Sequence, residues 1–226
     1  MLYIVASAIG NLDDLSIRQA KTLIESEIIL AEDTRSAYTL LEAIEKRFGL
    51  KRNQQNIISY YKEREFEKLP EVMEWLKEDK NIALLSESGT PLVSDPGYLL
   101  VKTAIKEKIP ITVIPGPTAL ITGLVYSGFN PSQFTFLGFI PKKESEKKKL
   151  IKKLQEVKKI FPDMSFGFYE SAQRIEETLD LIIETGWNPD VAICREMTKK
   201  FEEIIRAKAD KIQKGNLRGE ITLFIG

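Results

Sequence analysis

Asn81–Gly97 reads NIALLSESGTPLVSDPG. Asn81–Leu85 is a short, mostly apolar run of strand length. Ser86–Gly97 then crowds glycine, proline and small hydroxyl residues into one stretch, with an acid at Asp95. Such a segment is neither helix nor regular strand throughout, because its prolines lack a donor and its glycines favour turns. A buried strand that empties into a turn-rich loop is what the carboxyl end of a parallel α/β strand looks like, and ligands sit beyond those ends.

The flanking chain has the same grammar. LYIVASA is strand-like, GNLDD a turn, and LSIRQAKTLIES carries Leu15, Ile17, Ala20, Leu23 and Ile24 near helical spacing, with Asp13 or Asp14 as its expected N-cap. EIILAEDTR is a buried-type strand running into acids. EKLPEVMEWLKED and YLLVKTAIKEK read as helices, with NIALLSE and IPITVIPGP as strands. This βαβα order predicts a largely parallel α/β sheet. The loops GNLDD, AEDTR, SESGTP and PGPTAL all follow strands, so they are expected to share one crevice edge; each taken alone is equally an ordinary tight turn.

Ile114-Pro115-Gly116-Pro117 ends the last of these strands, which places a domain boundary there: residues 1–115 form the first domain and 118–226 the second. A helix is expected from Thr118 to about Tyr126. Beyond it QFTFLGFIP, MSFGFYES, VAICREM, FEEIIRAK and RGEITLFIG read as strands, and SEKKKLIKKLQEVKKI and AQRIEETLDLIIETG as helices. Strands that follow one another without a helix between predict a mixed sheet.

With 226 residues, 43% of them hydrophobic, the chain can bury a substantial core. Thirty-three basic residues balance thirty-three acidic ones, which argues against a globally basic nucleic-acid binder and leaves room for a local patch. The single Cys194 forms no internal disulfide, no apolar run reaches membrane length, and the N-terminus has no basic leader, so a cytoplasmic protein is expected. The absence of histidine removes His-based triads and most zinc sites. A Walker phosphate loop, a G-x-G-x-x-G after the first strand, C-x-x-C and H-E-x-x-H are all missing, and no metal site is expected.

Seven segments in order, IGNLDDLSIRQ, AEDTR, SESGTPLVSDPGY, PGPTAL, GFIPKK, FYES with Arg174, and REMTKKFEE, make the chain similar to the bacterial small-subunit ribosomal RNA 2′-O-methyltransferases that modify a cytidine of the decoding region. These belong to the tetrapyrrole-methylase superfamily. The resemblance runs from about Leu2 to Phe224. Where the family usually has SDAGTP, this chain has Glu87 and Ser88; Ala8 replaces a proline, and Ala172-Gln173 a proline-histidine pair. Most members also continue beyond the last strand, while this sequence stops at Gly226.

The resemblance implies two α/β domains with S-adenosylmethionine (SAM) in a cleft between them, and a homodimer. Cofactor contacts are implied at Ile9, Gly89, Thr90, Pro91, Val93, Thr118, Ala119, Phe139 and Tyr169. For Val93, Ala119 and Phe139 plain core packing is the alternative. A ribose hydroxyl becomes a good nucleophile only when its proton is removed or strongly bound. With no histidine, the candidates for that role are Lys199, Glu170, Asp33 and Asp95. Arg35 and Arg174 are candidate RNA contacts; Asp33 with Arg35, and Glu196 with Lys199, are alternatively surface ion pairs.

RNA binding needs positive potential. Lys142–Lys159 carries nine lysines against three glutamates, with Leu150, Ile151, Leu154 and Val157 as an apolar stripe. An outward lysine face is therefore expected to meet RNA through Lys142, Lys143, Lys147, Lys148 and Lys152. Two other functions fit the same resemblance: methylation of a tetrapyrrole, and a non-catalytic RNA-binding assembly factor.

Overall fold

The computed structural model describes residues 1–213, 215 and 217–226. The chain divides into two compact units, Met1–Thr118 and Ala119–Gly226.

The first unit is built on five parallel strands: β1 (Leu2–Val5), β2 (Ile28–Ala31), β3 (Asn56–Ser59), β4 (Ile82–Leu85) and β5 (Ile111–Ile114), in the order β3-β2-β4-β1-β5. Every residue of β2 and β4 is buried, as strands covered on both faces require. Side chains alternate between two cores. Val5, Ile29, Ala31, Ala83 and Leu85 pack with α1 (Ile17–Glu25) and α2 (Thr34–Phe48). Leu2, Ile4, Ile28, Leu30, Ile82 and Leu84 pack with α3 (Lys62–Lys77) and α4 (Tyr98–Lys106). Because all five strands run the same way, the loops after β1, β2, β4 and β5 leave from one edge.

Two elements of this unit have no counterpart in the sequence reading, α2 and β3. The start of α1 also differs. Its N-cap is Ser16, not Asp13 or Asp14, because Ser16 and Gln19 form a reciprocal capping box: Gln19 N donates to Ser16 Oγ at 3.2 Å and Ser16 N to Gln19 Oε1 at 2.7 Å. Asp13 and Asp14 lie instead in a short 3₁₀ turn, Leu12–Asp14.

The second unit begins with α5 (Ala119–Ser127). Its strands β6 (Phe134–Phe139), β7 (Ser165–Ser171), β8 (Asp190–Arg195), β9 (Glu203–Lys208) and β10 (Glu220–Ile225) lie in the order β6-β7-β10-β8-β9. Only β6 and β7 are parallel; β10 runs antiparallel to β7 and β8, and β9 antiparallel to β8, so the sheet is mixed as expected. One face packs with α6 (Glu144–Ile160) and α7 (Ile175–Glu184) through Ile151, Leu154, Ile175, Leu179 and Ile182. The other receives Leu124 of α5 against Ala192 and Phe224. Among the described residues no helix is long and apolar enough to cross a membrane.

Candidate cofactor site

In the first unit, three loops meet at Gly89. Its carbonyl oxygen accepts from Ser7 N at 2.8 Å, which ties the loop after β1 to the loop after β4, and from Ser86 Oγ at 2.9 Å, which closes the turn on itself. Gly89 holds φ +77°, a left-handed conformation that favours glycine. A β-carbon there would stand 3.2 Å from Ile9 Cγ2 and 3.3 Å from the Pro117 carbonyl oxygen, with Thr118 Cα at 3.7 Å. Ile9, Gly89 and Thr118, far apart in sequence, are thus neighbours. Pro91 is buried, and Thr90 and Val93 are half-buried.

The loop is held against its own preferences. Leu92 (φ 71°) and Ser94 (φ 73°) are also left-handed, a cost of order 1–3 kcal/mol each for residues with a side chain. Strain of that kind persists only where the surroundings over-determine it.

The same edge is acidic. Asp95 is half-buried; burial first, and then the charges of Glu32 and Glu87, push its carboxyl up to about 6. Burial, followed by Glu87 and Glu63, also raises Glu32. None of Glu32, Glu87 and Asp95 has an ion-pair partner among the described residues.

In the second unit Phe139 is 58% exposed at the end of β6, and its ring meets Tyr169 of β7 edge-on at 5.6 Å between centroids. Tyr169 also meets Phe136 at 4.9 Å. Ala119 opens α5 and is half-buried.

A family model described as Tetrapyrrole (Corrin/Porphyrin) Methylases matches residues 1–213. The chain belongs to the tetrapyrrole methylase family. Among the relatives of this tetrapyrrole methylase are proteins named ribosomal RNA small subunit methyltransferase I. The one from Hydrogenobaculum sp. (strain Y04AAS1) is 39% identical over 99% of this chain and 94% of its own length. That from Thermotoga maritima is 36% identical over 99% and 97%, and that from Bacillus subtilis 34% identical over 100% and 74%. Among solved structures, the methyltransferase CobJ superposes with a TM-score of 0.71 at 16% identity, covering 100% of this chain and 93% of that one. Diphthine synthase gives 0.71 at 14%, covering 100% and 90%. These two likenesses carry the fold alone.

The methyl donor of this tetrapyrrole methylase is SAM. The first unit's residues fit it. Gly89 lets backbone stand where a side chain would block approach, Ile9 and Pro91 supply apolar walls, and the unpaired acids suit a ligand whose sulfur is positive.

The structure commits the three leading catalytic candidates to other bonds. Lys199 Nζ lies 2.7 Å from Glu220 and 3.3 Å from Glu196. Burial pulls its pKa down, but Glu220 and then Glu196 outweigh that, so the amine is held protonated and is a cation, not a base. The Glu170 side chain is fully buried; it pairs with Arg174 and accepts from Ser171 N at 2.7 Å and from Thr178 Oγ1 at 3.1 Å, so it is held inward by three neighbours. Asp33 is the N-cap of α2. It accepts from Arg35 Nη2 at 2.9 Å and Arg35 N at 2.8 Å, and these bonds, the side-chain one first, hold its carboxyl below the usual range.

Arg174 is bound inward as well, donating to Ser171 Oγ and to the Ile140 carbonyl, whereas Arg35 is exposed beside Asp33. One of the expected lysines is corrected. Lys147 does not belong to the outward face: its side chain is 0% exposed and Nζ sits 2.8 Å from Glu177 of α7, because its place on the helix turns it into the packed side. Lys148 is half-buried between Glu144 and Glu184 at 2.6 and 3.5 Å. Lys143 is exposed but near Glu146 at 3.7 Å. Lys142, Lys149, Lys152, Lys153 and Lys159 are exposed with no ion-pair partner among the described residues.

Proposed function

We propose that this chain transfers the methyl group of SAM to the ribose 2′-hydroxyl of a cytidine in small-subunit ribosomal RNA, working in the cytoplasm as a homodimer. The convergence of the loops on Gly89 supports the cofactor half of this reading. Ile9, Gly89, Thr90, Pro91, Val93 and Thr118 would hold the cofactor in the first unit; Ala119, Phe139 and Tyr169 are proposed contacts on the resemblance to the family alone. Bound SAM supplies an electrophilic methyl. The relatives named ribosomal RNA small subunit methyltransferase I, matched over the whole chain at 34–39% identity, support the substrate half.

In this reading Asp95 takes the ribose proton. Its carboxyl, pushed up to about 6, is ionised at neutral pH yet basic enough to accept, which is the compromise general-base catalysis favours.

The test is direct. Purified protein with methyl-labelled SAM is expected to label small ribosomal subunits or their RNA, at one position that resists alkaline cleavage, as a 2′-O-methyl does. Label confined to a base would overturn the 2′-O assignment. Label on a tetrapyrrole in place of RNA, or on nothing, would overturn the substrate.

For RNA docking, Lys149, Lys152 and Lys153 share a face of α6. Replacing all three with Glu is expected to weaken RNA binding and lower the slope of log K against log salt by about two to three, near 0.7–0.9 per phosphate. An unchanged slope in filter binding would make this face a solvated surface only.

A further inference from the structure

We infer that Glu65 is a positioning residue for the cofactor loop: a carboxylate on α3 that holds the far end of Ser86–Gly97 by capping α4. This rests on the reading of that loop as part of the cofactor site. Gly97, the residue at the N-cap of α4, is left-handed at φ 118° and has no side chain to satisfy the helix's first N–H groups. Nor can it be exchanged for a capping residue in place, since a β-carbon there would run into Leu84 Cδ2. Glu65 Oε1 does the work from another helix. It accepts from Gly97 N at 3.2 Å, Leu99 N at 2.9 Å and Leu100 N at 3.3 Å. Three donors that point out of a helix start, on a charged acceptor, make a strong and directional tie.

Its surroundings hold Glu65 in turn. The carboxylate faces the fully buried Tyr60 at the end of β3; burial, and then the negative charge of Glu65, keep the proton on that phenol. The loop is thereby anchored at both ends. The near end is fixed at Gly89 by Ser7 and Ser86, the far end at Gly97 by Glu65, and Leu92, Ser94 and Asp95 lie between. Left-handed Leu92 and Ser94 would relax if one anchor were released, and the loop would lose the shape it presents to the cofactor without any contact between Glu65 and the cofactor itself.

The experiment compares Glu65→Ala and Glu65→Gln by steady-state methyl transfer and by calorimetry with SAM, with Gly89→Val alongside. Glu65→Ala removes the acceptor and is expected to raise the Kd and KM for SAM about 10-fold or more, with kcat falling as well because Asp95 lies on the released segment. Glu65→Gln keeps an acceptor oxygen and is expected to recover most of the loss. A Glu65→Ala protein that melts earlier but has wild-type KM at a temperature where it is folded would show a cap for the helix alone and overturn the inference. So would a fall in kcat with KM unchanged. If Gly89→Val also bound SAM normally, the loop reading itself would fall; if only Gly89→Val lost binding, this inference alone would.

Discussion

Gly89→Val is expected to lose SAM affinity by about 100-fold or more while remaining folded. A valine must enter the left-handed region at φ +77°, where a β-branched residue is strained. Its β-carbon would sit 3.2 Å from Ile9 Cγ2 and 3.3 Å from the Pro117 carbonyl, and the branching methyls beyond it need still more room. Ile9 can rotate, but the Pro117 oxygen is backbone and moves only with its loop. The loops after β1, β4 and β5 would therefore separate where the proposed cofactor residues lie. Local strain of about 1–3 kcal/mol is less than the 5–15 kcal/mol that typically stabilises a domain, so the fold survives. A 100-fold loss corresponds to about 2.7 kcal/mol of binding energy. Calorimetry with SAM beside circular dichroism separates the two effects; wild-type affinity in a folded Gly89→Val protein would remove the loop from the cofactor site.

The second large effect is on turnover. Asp95→Asn is expected to cut methyl transfer by about 10²–10⁴-fold, the scale of a positioned acid–base group, with SAM affinity changed only a few-fold. The sign of the pH dependence follows from the shift. A base works deprotonated, so the wild-type rate should climb as pH rises through about 6 and level off above it. Asp95→Asn should lose that limb. The same upward shift makes folded protein prefer the protonated carboxyl. Its contribution to stability is then fully present below about 3.8, the ordinary value, and is lost as pH rises through about 6. Single-turnover rates from pH 5 to 8 on saturating RNA test this. A flat wild-type profile, or an Asn variant at full speed, would take the proton-accepting role from Asp95.

What the sequence disclosed, and what it hid, divides by the range of the interactions. β2 and β4 were legible because strands buried on both faces are continuous apolar runs. The Ser86–Gly97 loop was legible because glycine, proline and hydroxyl residues act locally. The expected start of α1 differs by a few residues because three polar residues within four positions, Asp13, Asp14 and Ser16, all suit an N-cap, and only the Gln19 side chain decides among them. In AEDTR the acid drew a chemical reading, yet Asp33 is there to start α2.

Charged residues were the hardest. Lys147 carries the same side chain as Lys152, and its burial against Glu177 depends on how α6 lies on α7. Glu170 and Arg174 look like site residues in FYES and become an inward pair once Thr178 and Ile140 are beside them. Glu65 gave no local signal at all, since the N–H groups it holds lie more than thirty positions downstream.

The strand order of the first unit bears on how the chain is made. β1 leaves the ribosome first, but its two partners are β4 at Ile82–Leu85 and β5 at Ile111–Ile114. At about 5–20 residues per second, an apolar strand waits on the order of ten seconds for its first neighbour. No neighbouring pair within that sheet can form by a hairpin, so β1 has no strand partner in the interval and only α1, which follows it, can cover its Val5 face. Nascent chains halted before Ile82 should therefore expose β1 to proteases and chaperones, and those carried past Ile114 and clear of the exit tunnel should bury it.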